Sequence, residues 1–138
     1  MEIHSTYIAD LIERQQQIIQ QPLTNQEKLK AIIALLIYDI KDKGTNGRVF
    51  FREMRHLIIE NMDSMKQKRK QFRWNIETIV RNGVKSGEFR NDLRVDMVTF
   101  GILGLTNYSY NWFDPDGEVT ADELIRVYRK IFLQGILK

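Results

Sequence analysis

From Met97 to Phe113 the chain carries no charged residue. The stretch is shorter than the roughly 20 apolar residues a membrane span needs. It also holds Thr99, Thr106, Asn107, Ser109 and Asn111, so it reads as a buried helix. A helix at the edge of a soluble domain normally keeps one polar face for water. One that lacks such a face must be covered on more than one side, or a large apolar patch stays wet. Gly101 and Gly104 sharpen the point, because each glycine inside a helix costs about 1 kcal/mol relative to alanine. Two of them imply close approach of another backbone or room for a ligand.

The rest of the chain repeats apolar residues every three to four positions, with no alternation long enough for a sheet. The pattern predicts an all-α fold, a six-helix bundle forming a single domain over residues 1–138. A first helix covers about residues 2–20, with Ile3, Tyr7, Ile8, Leu11, Ile12, Ile18 and Ile19 on one face, and starts with no clear cap. A second covers about 26–41. It opens on the capping box Thr24-Asn25-Gln26-Glu27 and is uncharged on every side from Ala31 to Tyr38, as expected of a helix in the middle of a bundle. Gly44-Thr45-Asn46-Gly47 is expected to break the chain before a third helix, about 46–60. The fourth, about 63–86, is expected to start from Asp63 or Ser64 and stop at Gly87. The fifth, about 93–112, takes Asn91 or Asp92 as its cap. Asp114-Pro115-Asp116-Gly117 is a turn, and the box Thr120-Ala121-Asp122-Glu123 opens the sixth.

That turn is short, so the last two helices are expected to be antiparallel. Two such hairpins, one per subunit, would make a symmetric four-helix bundle. The expected homodimer face comprises Phe100, Gly101, Gly104, Leu105 and Tyr108 on one helix, with Leu124, Val127, Tyr128, Ile131 and Phe132 on the other. A monomer whose own neighbouring helix covers that face is the alternative.

With 138 residues and 43% hydrophobic residues the chain is an ordinary globular domain. It has no cysteine, which removes disulfides, zinc ribbons and thiol catalysis and fits a reducing, cytoplasmic setting. No secretory signal is visible, since Glu2, Asp10, Glu13 and Arg14 interrupt the first twenty residues. The net charge is +3, and the excess sits between residues 61 and 90. There Lys66, Lys68, Arg69, Lys70, Arg73, Arg81, Lys85 and Arg90 face only Asp63, Glu77 and Glu88. The run from Lys66 to Arg73 is either a solvated helix end or a phosphate-binding row. Trp74, opposite Phe72, Ile76 and Val80, marks either a partner surface or packing under a neighbouring helix.

Enzymatic and metal signatures are missing. Glu53-Met54-Arg55-His56 is one Glu-x-x-His element, but a di-iron bundle needs two plus further carboxylates, and the other histidine, His4, has no matching glutamate. The acidic turn at 114–118 places its glycine too early for a calcium loop. No P-loop, GxGxxG or GxSxG occurs. The reading is therefore of a protein that is not an enzyme and has no cofactor or metal.

The segment Asn82-Gly83-Val84-Lys85-Ser86-Gly87-Glu88-Phe89-Arg90 resembles the xxGxxxGEFR helix end of TetR-family repressors. Phe100 to Phe113 and Asp116-Gly117 resemble the next helix and turn of that family, with Tyr108 standing where one branch has Trp after Asn. The likeness covers roughly residues 24–136. It implies a ligand-binding and dimerisation domain whose last two helices form the dimer bundle, in agreement with the patch argument. It also implies an N-terminal helix-turn-helix, which has no counterpart here; the chain starts inside what would be the connecting helix. A truncated regulator, or a stand-alone helical interaction module pairing through its last two helices, are the two expectations. DNA would be reached only through a helix-turn-helix outside this chain, and no membrane contact is implied. The same branch implies a small apolar or acyl-CoA-like effector, held by Leu36, Phe50, Met54, Phe72, Ile76 and Asn107. Its phosphates would then lie near Lys66, Lys68, Arg69 and Arg73. Plain core packing is the alternative for the apolar members.

Overall fold

A computed structural model describes the backbone of residues 2–54 and 62–138, and the side chains of 8–42 and 66–138. The described residues form five helices: α1 (Glu2–Ile19), α2 (Asn25–Met54), α3 (Met62–Ser86), α4 (Val95–Trp112) and α5 (Ala121–Ile136). The expected count of six is corrected because the second and third helices are one. The backbone of α2 stays helical through Gly44 and Gly47. Glycine weakens a helix but keeps its N–H, so without a proline the ladder continues.

α2 packs against all four of the other helices. Leu29, Ile32, Ile33, Leu35, Leu36, Ile37 and Ile40 are buried, which is why charge is absent from that part of it. Its start carries the expected capping box: Thr24 Oγ1 accepts from the Glu27 N–H at 3.1 Å, and Glu27 Oε1 accepts from the Thr24 N–H at 3.1 Å. α5 runs antiparallel to α2, tied by a hydrogen bond from the Tyr38 hydroxyl to Asp122 and by Arg129 donating to the Lys30 carbonyl at 3.0 and 3.1 Å. Its start is capped by Thr120, whose side chain accepts from the Glu123 N–H. α4 begins later than expected. Arg94 sits at its N-cap with no side-chain cap. Asp92 is held by Arg90 at 2.8 Å, in place of the capping role expected for it.

The segment joining α3 to α4 acts as a clasp. Gly87 has φ +85°, the left-handed conformation that ends a helix, and the Phe89 N–H donates to the Gly83 carbonyl at 3.0 Å. The Phe89 ring is buried against Gly83, where a Cβ would lie 2.2 Å from two ring carbons. Glu88 reaches the start of α2, accepting from Asn25 Nδ2 at 2.8 Å and from the Gln26 N–H at 3.1 Å. The Arg90 N–H donates to the Ile136 carbonyl, and Lys138 N–H to Glu88, so the same four residues also hold the end of α5.

Candidate functional site

Three sides of α4 meet three different environments. Thr99, Ile102, Thr106 and Ser109 are fully buried. The three hydroxyls among them donate to the carbonyls four residues back, at 3.0, 2.8 and 2.9 Å, so they enter the core without unpaired polar groups. A second side, formed by Phe100, Leu103, Gly104 and Asn107, faces a cavity of about 650 Å³. The third side is exposed and apolar.

Among the described residues, Ile8 and Leu11 of α1, Leu36 of α2 and Phe72 of α3 add to the apolar wall of the cavity. α1 is fixed against α3 by a buried polar set. Gln15 donates to the Phe72 carbonyl at 3.0 Å and accepts from Asn75 at 2.7 Å, and Gln71 donates to Asn75 at 2.8 Å. Lys66, Arg69, Lys70 and Arg73 line the cavity from one face of α3. At 1.5 Å rise per residue the row spans about 10 Å. Arg73 is half-buried, its guanidinium 5.0 Å above the Phe100 ring. Tyr110 also lines the cavity and donates its hydroxyl to Asp39 at 2.5 Å. Asp39 is itself buried and paired with Arg14 at 3.7 Å.

Of the residues expected to hold an effector, Leu36, Phe72 and Asn107 line this cavity. Ile76 does not: it is fully buried in the core one turn beyond Phe72. The side chains of Phe50 and Met54 lie outside the described residues, as do those of Glu53 and His56. Lys66, Arg69 and Arg73 of the expected phosphate contacts are on the cavity, and Lys68 is not, because its position on α3 turns it to another side. Ile8, Leu11, Lys70, Phe100, Leu103 and Tyr110 were not foreseen as lining. For Leu103 the three-to-four-residue spacing from Asn107 was the available signal; for Ile8 and Leu11 there was none beyond an apolar stripe.

The exposed apolar side of α4 carries Met97, Gly101, Leu105, Tyr108 and Trp112, with Phe100 and Gly104 shared between it and the cavity. Tyr108 is 65% exposed. Apart from chain neighbours and the helix's own backbone, no atom of the described residues lies within 4 Å of the place a Cβ would occupy on Gly101 or Gly104. Val127 and Ile131 of α5 are likewise exposed, Ile131 by 52%. Leu124 and Tyr128, expected on the same outward face, are corrected to core residues. Both are buried, and the Tyr128 hydroxyl is 2.6 Å from that of Ser109. Phe132 is half-buried with its ring edge-on to Tyr128 at 6.2 Å. α5 is apolar on two sides, and spacing alone did not separate them. Trp74 is exposed on the outer side of α3, under the Arg81 guanidinium at 5.0 Å.

Among the described residues no group of histidine, cysteine and carboxylate side chains could hold a metal. No described helix is long and apolar enough to cross a membrane.

A family model described as the tetracyclin repressor-like C-terminal domain matches residues 22–136. The chain is 24% identical over 136 residues to the HTH-type transcriptional repressor KstR2 of Rhodococcus jostii (strain RHA1), covering 98% of this chain and 67% of the repressor. KstR2 of Mycolicibacterium smegmatis is 28% identical over 136 residues, with 98% and 66% covered. The chain thus spans about two thirds of the length of these relatives. Among solved structures, the ketosteroid transcriptional regulator KstR2 of Mycobacterium tuberculosis superposes with a TM-score of 0.84 at 25% identity, covering 96% of this chain and 68% of that one. AibR, in complex with isovaleryl coenzyme A and operator DNA, gives 0.78 at 20% identity, with 95% and 72% covered.

Proposed function

Because the chain belongs to the family of tetracyclin repressor-like C-terminal domains, we propose that it is the effector-binding and dimerisation part of a transcriptional regulator, with no catalytic role. The observation that carries this reading is an apolar cavity of about 650 Å³ edged, among the described residues, by four cationic side chains. An apolar body with an anionic head fits both halves of it: Phe72, Leu103 and Leu36 exclude water from the body, and Lys66, Arg69, Lys70 and Arg73 pair with phosphate or carboxylate oxygens. A row of cations about 10 Å long suits several phosphate charges better than one carboxylate. An acyl-CoA is therefore the effector class favoured here. Such a ligand is bound to AibR, whose fold this chain shares.

The exposed apolar side of α4, with Val127 and Ile131 of α5, is the surface through which two copies pair. It combines exposed aromatic and aliphatic side chains with two glycines that leave space for a second backbone. In a regulator with DNA-reading heads, a ligand that binds one arrangement of this pair better than another shifts the spacing of the heads.

The reading is tested by thermal unfolding of the chain with acyl-CoA thioesters of increasing chain length. A ligand that binds only the folded state at a hundred times its dissociation constant stabilises it by about 2.7 kcal/mol. A rise in Tm that is lost in the Arg69→Glu, Arg73→Glu double variant is expected. No rise at any chain length removes the acyl-CoA class.

A further inference from the structure

Within the cavity, Asn107 is the amide on the wall contributed by α4. The wall contributed by α4 is otherwise Phe100, Leu103 and Gly104, with Tyr110 three residues beyond Asn107 on the same face. Tyr110 has already committed its hydroxyl proton to Asp39, a buried carboxylate. Asn107 is half-buried, lines the cavity, and has no hydrogen-bond partner among the described residues. Its amide offers two N–H donors and one acceptor. Such groups bond water wherever solvent reaches them, but a saturated alkyl body would displace that water and leave the amide unpaired.

We propose that Asn107 selects effectors that carry an oxygen function, a carbonyl or a hydroxyl, on the otherwise apolar part that enters the cavity, with Nδ2 donating to that oxygen. This rests on the cavity being an effector site for amphiphiles, as proposed above. A site that supplies a donor discriminates against the analogue lacking the acceptor, because the analogue leaves the donor stripped of water.

Isothermal titration of the chain with three probes tests this: dodecyl phosphate, its mid-chain oxo analogue and its mid-chain hydroxy analogue. One or both oxygenated probes should bind roughly tenfold or more tighter than dodecyl phosphate, the size of penalty an unpaired buried amide brings. Asn107→Leu should abolish that preference by tightening the plain alkyl probe and weakening the oxygenated one. Asn107→Ser, which keeps a donor on a shorter side chain, should retain part of it, and circular dichroism shows whether each variant is folded. Equal binding of all three probes to the unaltered chain overturns the selection by Asn107 and leaves the amphiphile site standing. Unchanged preference in a folded Asn107→Leu overturns it as well. Binding of none of the three overturns both.

Discussion

Replacing Gly83 with alanine pits a known gain against a steric loss that can be read from the packing. In a helix interior the change normally stabilises by about 1 kcal/mol. Here the added methyl would sit 2.2 Å from Cδ2 and Cε2 of Phe89 and 3.0 Å from its Cγ. Carbon atoms rest at about 3.5–4.0 Å, so the ring has to move by well over an ångström. It has no room to do so. Phe89 is 1% exposed, its N–H is bonded to the Gly83 carbonyl, and its neighbours Glu88 and Arg90 are tied to α2 and α5. Overpacking a core costs about 1–3 kcal/mol, and losing a buried phenylalanine about 3–5. Subtracting the helix gain leaves about 0–2 kcal/mol if the ring is only strained and about 2–4 if it is displaced; an overlap this deep displaces it, so a net destabilisation of about 2–4 kcal/mol is expected, or roughly 10 °C in Tm for a domain of this size. Equilibrium unfolding in urea, followed by circular dichroism, gives the value. Adding Phe89→Leu, whose side chain is shorter, should recover part of the loss. A Gly83→Ala variant as stable as the unaltered chain would refute the reasoning, since the methyl would then be accommodated at no cost.

Leu105→Glu places a charge on the exposed side of α4 and should leave the fold intact while halving the mass measured by light scattering; an unchanged dimer mass counts against that surface. Gly101→Ala, whose added carbon meets nothing within 4 Å among the described residues beyond its own helix, should stabilise the isolated chain by about 1 kcal/mol and yet weaken pairing, seen as a sedimentation equilibrium shifted toward monomer. Glu88 gives a pH dependence. Burial pushes its carboxyl up, but the hydrogen bonds from Asn25, Gln26 and Ser86 outweigh it and hold the group below its ordinary 4.5. A carboxyl depressed in the folded state adds stability above its unfolded pKa and loses it as pH falls through the folded one. The stability gap between the chain and Glu88→Gln should therefore be full at pH 6 and close as the pH drops from about 4.5 toward 3; a gap constant down to pH 3 would contradict the bonding.

Much of the fold was legible because helix caps and burial leave local marks. Thr24 with Glu27, Thr120 with Glu123, and Gly87 each sit where the chain needs a free N–H satisfied or a left-handed residue, and each does so in the structure. The uncharged run from Ala31 to Tyr38 likewise announced the central helix. The continuity of α2 was not legible, because paired glycines lower helix stability without forbidding it, and the sum over a helix of this length decides the outcome. The start of α4 at Val95 differs from the sequence expectation for a related reason. Asn91 and Asp92 are good caps in isolation, but Arg90 holds Asp92, and the clasp fixes where the chain can turn. The site was half legible. Spacing gives the angle of a side chain around its helix, so Leu36, Phe72 and Asn107 could be read as inward-facing. It does not say whether the inward neighbour is another side chain, as for Ile76, or empty space. Nor does it reveal a long-range partner: nothing near Tyr110 in sequence points to Asp39.

The lack of charge along α4 now has a physical account in which each side contributes separately. The core side excludes charge because Thr99, Thr106 and Ser109 donate their hydroxyls to their own helix, and Ser109 also meets the Tyr128 hydroxyl, so no partner is left for an ion. The cavity side can leave charge to α3, whose cations already edge the space, so α4 supplies apolar wall and one amide. The exposed side is the one that water would permit to be charged, and it is apolar all the same. Isolated exposed apolar residues need no explanation, but Met97, Leu105, Tyr108 and Trp112 form one stripe, and Val127 and Ile131 of α5 are exposed as well. Phe100 and Gly104 belong to both the stripe and the cavity wall, and Arg73 lies over the Phe100 ring. On the proposed reading, an anionic head drawing Arg73 away would remove a cation from a ring that the second copy also touches. Ligand and partner would then press on the same two residues from opposite sides, and a charge placed at either would be stripped of water twice.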